Sequence, residues 1–212
     1  MGVSVAERRS PGRPKDLGKR ATIVAAARAL FFRHGVDGVS MDAVAQAAGV
    51  SKMTVYASFK DKGALFVEMV RYDAEQMELA FASGLPHGAD LRQTLILFGE
   101  VLVSFLMRPD VQSFDCLFAT ATVHYPDLAE RFFANGPGRM QQDLCAVISS
   151  QSKDAGLMID DPRQAAEDLA SLWLGMKLVE IRYGKSGFPS AEDIRRRVEH
   201  GVNLFFKAYG KA

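Results

Sequence analysis

Two cysteines, a single tryptophan and no apolar run of membrane-spanning length are the first scarcities of this 212-residue sequence. Cys116 and Cys145 stand far apart and in no CxxC arrangement, which argues against a disulfide scaffold or a thiol redox motif. Two small core thiols are expected instead. The longest apolar stretch, Leu95 to Met107, is broken by Glu100 and falls well short of the roughly 20 residues a bilayer helix needs, so it reads as a buried helix. No apolar segment follows the first charges at Arg8 and Arg9, so neither a secretory signal nor a membrane partner is expected, and the expected location is cytoplasmic. Catalytic signatures are missing too: there is no G-x-S-x-G, no phosphate loop and no dinucleotide fingerprint. Cys116 or Cys145 could pair with His124, but nothing marks a third group to orient that histidine. His34, His87, His124 and His200 show neither HxxxH nor HExxH spacing, and no metal or other cofactor is expected. The chain reads as a non-enzyme.

What is present is the composition of an ordinary globular protein, 48% hydrophobic and 24% charged. The net charge of +1 conceals a division. Residues 1–62 hold 11 Lys/Arg against 5 Asp/Glu, a balance of +6, while the remainder holds 15 against 20, a balance of −5. A basic end of this kind suits a polyanion.

Along the chain the apolar spacing is helical and no alternating strand pattern stands out. Residues 1–16, with the run Ser10-Pro11-Gly12-Arg13-Pro14-Lys15, form a basic arm that is either a solubilising tail or a minor-groove contact. A first helix is expected over Leu17–His34, closed by Gly35. Ser40 can cap a short helix over Met41–Ala48, Gly49 can end it, Ser51 can cap another to about Phe59, and a fourth helix begins near Asp61. This module spans 17–80. Past the turn-rich Gly84-Leu85-Pro86-His87-Gly88, a larger helical body fills 81–212, with helices over Leu91–Met107, Val111–His124, Leu128–Phe133, Arg139–Ala155, Pro162–Tyr183 and Ala191–Tyr209. Pro109, Pro126 and Gly136-Pro137-Gly138 read as separators between them. The expected fold is all-α.

Ser40 to Phe59 has the parts of a helix-turn-helix: two short helices, a joint at Gly49 and alanines where helices must approach. Ser51, Lys52, Thr54, Val55 and Lys60 are placed on the outward face, Met53 and Phe59 inside, and Tyr56 with its hydroxyl toward phosphate. Short polar and basic groups on an exposed helix are what base edges and phosphate oxygens require.

With those residues in view, Lys19 to Phe66 resembles the DNA-binding domain of the TetR family of bacterial repressors, most specifically in the run Gly38 to Tyr56 followed by Phe59, Lys60 and Lys62. The resemblance implies that Ser40 caps the second helix near a phosphate, that Ser51 to Tyr56 is the recognition helix and that Lys60 and Lys62 flank the DNA backbone. The expected DNA-binding set is therefore Ser40, Met41, Ser51, Lys52, Thr54, Val55, Tyr56, Lys60 and Lys62. A departure stands at Gly63, where similar sequences often carry an acidic residue. Phe118 to Ala129, and Gly156-Leu157 ahead of Asp161-Pro162, are similar to the AefR-like branch, which points toward efflux or cell-signalling regulation.

The resemblance implies a repressor released from double-stranded operator DNA by a small, mostly apolar effector. Phe98, Leu102, Phe105, Phe114, Phe118, Thr122, Trp173 and Met176 are the expected ligand-lining set. Glu100, Thr120, Thr122 and His124 either orient a ligand or face solvent, and Arg195-Arg196-Arg197 reads as a solvated helix face. A C2 homodimer is expected because one short recognition helix reads few base pairs. Its interface is placed on 162–183 and 191–209, with Leu169, Leu172, Leu174 and Met176 joined by Val198, Val202, Phe205 and Phe206.

Overall fold

The structure, a computed structural model, describes residues 14–210. Within them ten helices follow one another: α1 (Pro14–His34), α2 (Met41–Ala48), α3 (Lys52–Ser58), α4 (Lys62–Gly84), α5 (Leu91–Leu106), α6 (Pro109–Ala121), α7 (Pro126–Asn135), α8 (Pro137–Gln151), α9 (Pro162–Arg182) and α10 (Ala191–Tyr209). The only extended pairing among the described residues is an isolated bridge between Leu157 and Gly210. Arg8, Arg9 and Arg13 of the expected arm lie outside the described residues, and Pro14 to Asp16 form the start of α1.

Proline sets the helix starts. Pro109, Pro126, Pro137 and Pro162 each occupy the first turn of a helix rather than the space between helices. Proline's fixed φ suits that turn, where its missing N–H would have found no partner anyway. This is why α6 to α8 begin earlier than the apolar spacing predicted.

Packing divides the molecule into two cores that do not follow chain order. The first gathers Ile23, Phe31 and Val44 with Phe66 and Met69, and draws in Phe114 and Phe118 of α6 and Leu128 of α7. Its centre is a pile of phenylalanines, with Phe66 stacked on Phe118 at 5.0 Å and edge-on to Phe31 at 5.4 Å. The second core joins α5, α8, α9 and α10 around Leu95, Ile148, Leu169, Trp173, Val198 and Phe205. Trp173 fits a slot between Gly99 and Gly201, where an added Cβ would stand 2.8 Å from the indole in either case.

Several expected placements change. Leu169, Val198, Val202 and Phe205 are spent on the second core and offer no face to a partner. The large apolar side chains left exposed on α9 and its C-cap are Leu172, ahead of a break at Gly175, and Met176, Val179 and Tyr183 beyond it, joined by Leu204 of α10. Cys116 is exposed and Cys145 half-buried, so neither is a fully buried core thiol. Arg197 is no solvated charge: α9 breaks at Gly175 (φ 44°), and Arg197 donates to the freed carbonyls of Trp173 and of Leu174, the latter at 3.0 Å.

Candidate nucleic-acid interface and effector cavity

The α2–α3 unit is built by its caps. Ser40 Oγ accepts from the Ala43 N–H at 3.1 Å, and Ser51 Oγ accepts from Thr54 N–H at 3.2 Å while sharing a hydroxyl hydrogen bond with Thr54 at 2.8 Å. Between them Gly49 adopts a left-handed conformation (φ 65°), returning its N–H to α2 and turning the chain sharply. Arg20 then clamps the far end of α3: it donates to the Ser58 carbonyl at 3.0 Å, pairs with Glu68 at 2.9 Å and lies over the Phe59 ring. Helix α3 is thereby tied to both α1 and α4.

On this frame Ser51, Lys52, Tyr56 and Lys60 are exposed, and Thr54 is half-buried. Lys52 Nζ donates to Asp42 at 2.8 Å, and that carboxylate raises the ammonium's pKa. Three expectations are corrected. Val55 is wholly buried and Met41 nearly so, because both fill the space between α1, α2 and α3; neither side chain can reach a groove. Met53, expected inside, is 82% exposed on the outer face of α3. Lys62 is half-buried and donates to the Val36 carbonyl at 2.7 Å, closing the α1–α2 loop rather than standing free for a phosphate.

A cavity of about 600 Å³ lies at the seam between the two cores. One wall is a single face of α4, from Met69 and Val70 through Asp73 and Met77 to Phe81; others come from Phe98 to Leu106 of α5, Val111 to Asp115 of α6 and Arg139 to Val147 of α8. Phe98, Leu102, Phe105 and Phe114 of the expected ligand set are in this lining. Phe118 is not; it sits behind the wall in the phenylalanine pile. Trp173 is fully buried and outside the lining, and its ring stacks on the lining residue Phe98 at 6.4 Å. Thr122 spends its hydroxyl on the Ala119 carbonyl at the end of α6, and Met176 is on the outer surface, 67% exposed.

The sequence reading missed α4 as a wall, and with it the two polar groups of the lining that are themselves buried, Asp73 and Gln112. The signal was an acid in an apolar helical stripe, with Asp73 between Met69 and Met77 at spacings of four. Arg28 of α1 donates to Asp73 Oδ1 at 2.6 Å. Burial pushes the Asp73 carboxyl up in pKa, and Arg28 pulls it part of the way back. Two further ion pairs at the lining, Glu78 with Arg139 and Asp115 with Arg182, bridge α4 to α8 and α6 to α9. A second cavity of about 610 Å³ lies between α8 and α9 beside the break at Gly175, and has neither Asp73 nor Gln112 in its lining. Among the described residues no group of three or more His, Cys, Asp or Glu side chains is placed to hold a metal ion, and no helix is long and apolar enough to cross a membrane.

Comparison with known proteins gives a separate family match for each part of the chain. Residues 23–69 match the tetR family of bacterial regulatory proteins, and residues 93–211 match the C-terminal domain of AefR-like transcriptional repressors. The HTH-type transcriptional repressor Rv1474c of Mycobacterium tuberculosis is 36% identical over 146 residues, 68% of this chain and 71% of its own length. The HTH-type transcriptional activator FasR of Mycolicibacterium smegmatis is 26% identical over 167 residues, 78% of this chain and 73% of its own. Among solved structures, a TetR-family regulator from Mesorhizobium loti superposes with a TM-score of 0.79 at 26% identity, covering 94% of this chain and all of that one. The Flavonoid-responsive Regulator FrrA superposes with a TM-score of 0.71 at 29% identity over 92% of this chain and 99% of its own. The chain therefore belongs to the TetR family of bacterial regulatory proteins, as a DNA-binding transcriptional regulator with a C-terminal half of the AefR-like type.

Proposed function

We propose that this regulator is a repressor: a C2 homodimer that binds a two-fold operator through α3 and releases it when a small, mostly apolar effector occupies the seam cavity. The observation that carries the reading is the course of α4, which leaves the recognition unit at Lys62 and presents Met69, Asp73 and Met77 to the cavity. A ligand that changes the spacing of the two cores must move or stiffen this helix, and with it the clamp from Arg20 to Glu68 that holds α3. Such an effect requires the ligand to favour one arrangement of the body over another, because affinity alone shifts nothing. A 20-fold loss of operator affinity would need a coupling free energy of about 1.8 kcal/mol, inside the usual range.

Ser51, Lys52, Thr54 and Tyr56 form the reading surface in this proposal, with Ser40 and Lys60 beside the phosphates. The exposed apolar residues Leu172, Met176, Val179 and Tyr183 form the dimer face in this proposal, since a monomer would leave them in water. Repression is favoured over activation by the AefR-like repressor match and by the similarity to Rv1474c. Effector control is favoured by the similarity to a regulator named for its response to flavonoids. The test is electrophoretic mobility of duplex DNA taken from upstream of the protein's own gene against a shuffled duplex of the same composition. Binding at least about a thousand-fold tighter to the former is expected of a regulator. Equal affinity would indicate an architectural protein, and a sedimentation mass near the 23.2 kDa monomer would defeat the dimer.

A further inference from the structure

The seam cavity is apolar along most of its length, but one end is not. There α1, α4 and the start of α6 meet, and Asp73 and Gln112 enter the lining with only 9% and 7% of their surface exposed. Asp73 uses Oδ1 to accept from Arg28, and its Oδ2 accepts no hydrogen bond among the described residues. Gln112 donates its Nε2 to the Leu106 carbonyl at 2.6 Å, and its buried Oε1 has no partner among the described residues. Both of these lining groups are acceptors, and of the two Gln112 Oε1 is the buried atom without a partner. A buried acceptor left unsatisfied is costly, so a molecule that brings a donor gains more here than it would on an open surface.

Charge points the same way. The lining holds four carboxyl side chains, Asp73, Glu78, Asp115 and Asp143, against the guanidinium groups of Arg139 and Arg182. Those two cations are already paired, with Glu78 and Asp115 respectively. Arg28 is not part of the lining: it stands behind Asp73 and over the Phe32 ring at 4.1 Å, paired with Asp73 and Asp110, and its buried Nη2 has no hydrogen-bond partner among the described residues. Partial burial, and after it the proximity of Glu78, push the Asp143 carboxyl up in pKa, and Arg139 draws it part of the way back.

We propose that Asp73 and Gln112 form the polar recognition point of the seam cavity, and that it selects an apolar effector carrying a hydrogen-bond donor, a hydroxyl or an amine, over one that ends in a carboxylate. This rests on the reading of the seam as the effector site and narrows it to a chemical class. It also gives the ligand a direct connection to the DNA-binding end, since the carboxylate that would accept the ligand's donor is the one that holds Arg28 of α1.

Three probes with a common apolar body test it: 4-octylphenol, which donates; 4-octylanisole, which cannot; and 4-octylbenzoate, which is ionised at neutral pH. Binding is followed by calorimetry and by the emission of Trp173, the only tryptophan, which stacks on the cavity residue Phe98. The phenol is expected to bind about 10-fold more tightly than the anisole, the order expected when a buried acceptor gains its partner, and the benzoate most weakly of the three. Gln112→Met should lower the affinity for the phenol toward that for the anisole. Asp73→Asn should raise the affinity for 4-octylbenzoate about 10-fold by removing the facing charge, a gain that a misfolded variant cannot produce. Binding of all three with equal affinity, or an unchanged benzoate affinity in Asp73→Asn, overturns the selectivity and leaves the seam as an effector site. Failure of all three to bind overturns both together.

Discussion

The two cores of this protein are built on different terms. The first is a pile of phenylalanines contributed by four helices, in which the central rings of Phe66, Phe114 and Phe118 each pack against at least three others. The second turns on one tryptophan held in a slot that only glycine at 99 and 201 leaves open. A pile tolerates sliding, whereas a slot does not. The first core packs the α2–α3 unit and the second packs α9, which carries exposed apolar residues on its outer side. A ligand at the seam would therefore press a deformable body against a rigid one, and motion should appear on the DNA-reading side.

The strongest way to break this contrast is to remove the centre of each core. Trp173→Ala and Phe66→Ala should each cost about 3–5 kcal/mol in denaturant unfolding. Only Phe66→Ala should also weaken operator binding under conditions where both variants remain folded. Equal losses of operator affinity would mean that the cores are not mechanically distinct. Next in size, Gly99→Ala should destabilise by about 1–3 kcal/mol, because the new methyl would meet the indole and Val198. A neutral result would show that the slot relaxes as readily as the pile.

Tyr56→Ala should sharpen the contrast from the DNA side. Its ring is about half exposed, so the melting temperature should hardly change while operator affinity falls by about 1–3 kcal/mol. Unchanged affinity would remove Tyr56 from the reading surface. The smallest effect is expected at the C-terminal end of α10, where the Tyr209 hydroxyl donates to Asp168 at 2.6 Å and is pushed up to about 12 from 10.0. The raised value means that the contribution is fully present below pH 10 and is lost as pH rises toward about 12. Asp168 is lowered by the same hydrogen bond, so its share is present above the ordinary carboxylate value of 3.8 and fades on acidification. Tyr209→Phe should flatten both limbs of the stability profile without altering the seam.

The recognition unit was legible in the sequence because its parts are local. Caps at Ser40 and Ser51 and the turn at Gly49 each act within four residues, and each has its expected geometry. The phase of α3 was not legible: a seven-residue helix gives too short a run to fix which side faces inward, and Met53 and Val55 exchanged places. The all-helical class and the long helices follow from apolar spacing, whereas the starts of α6 to α8 do not, because a proline between apolar runs can equally be a break or a first-turn residue. On α9 and α10 an apolar side chain looks alike whether it fills the chain's own core or a partner's, so spacing alone does not show that Leu169 and Val198 belong to the chain's own core. The cavity was half visible. Aromatic residues of α5 and α6 suggested it, but its α4 wall and its polar end depend on which helices meet across the seam, and that is a property of the tertiary packing.

The central claim is that cavity and operator are coupled through α4, and coupling between two binding sites must be reciprocal. The direct measurement is the affinity of 4-octylphenol, read from Trp173 emission, for the free protein and for the protein saturated with operator duplex. The account predicts weaker binding to the operator complex, by about 20-fold for a coupling of about 1.8 kcal/mol, and by the same factor that saturating 4-octylphenol lowers operator affinity. Equal affinity for the free and the operator-bound protein would contradict it.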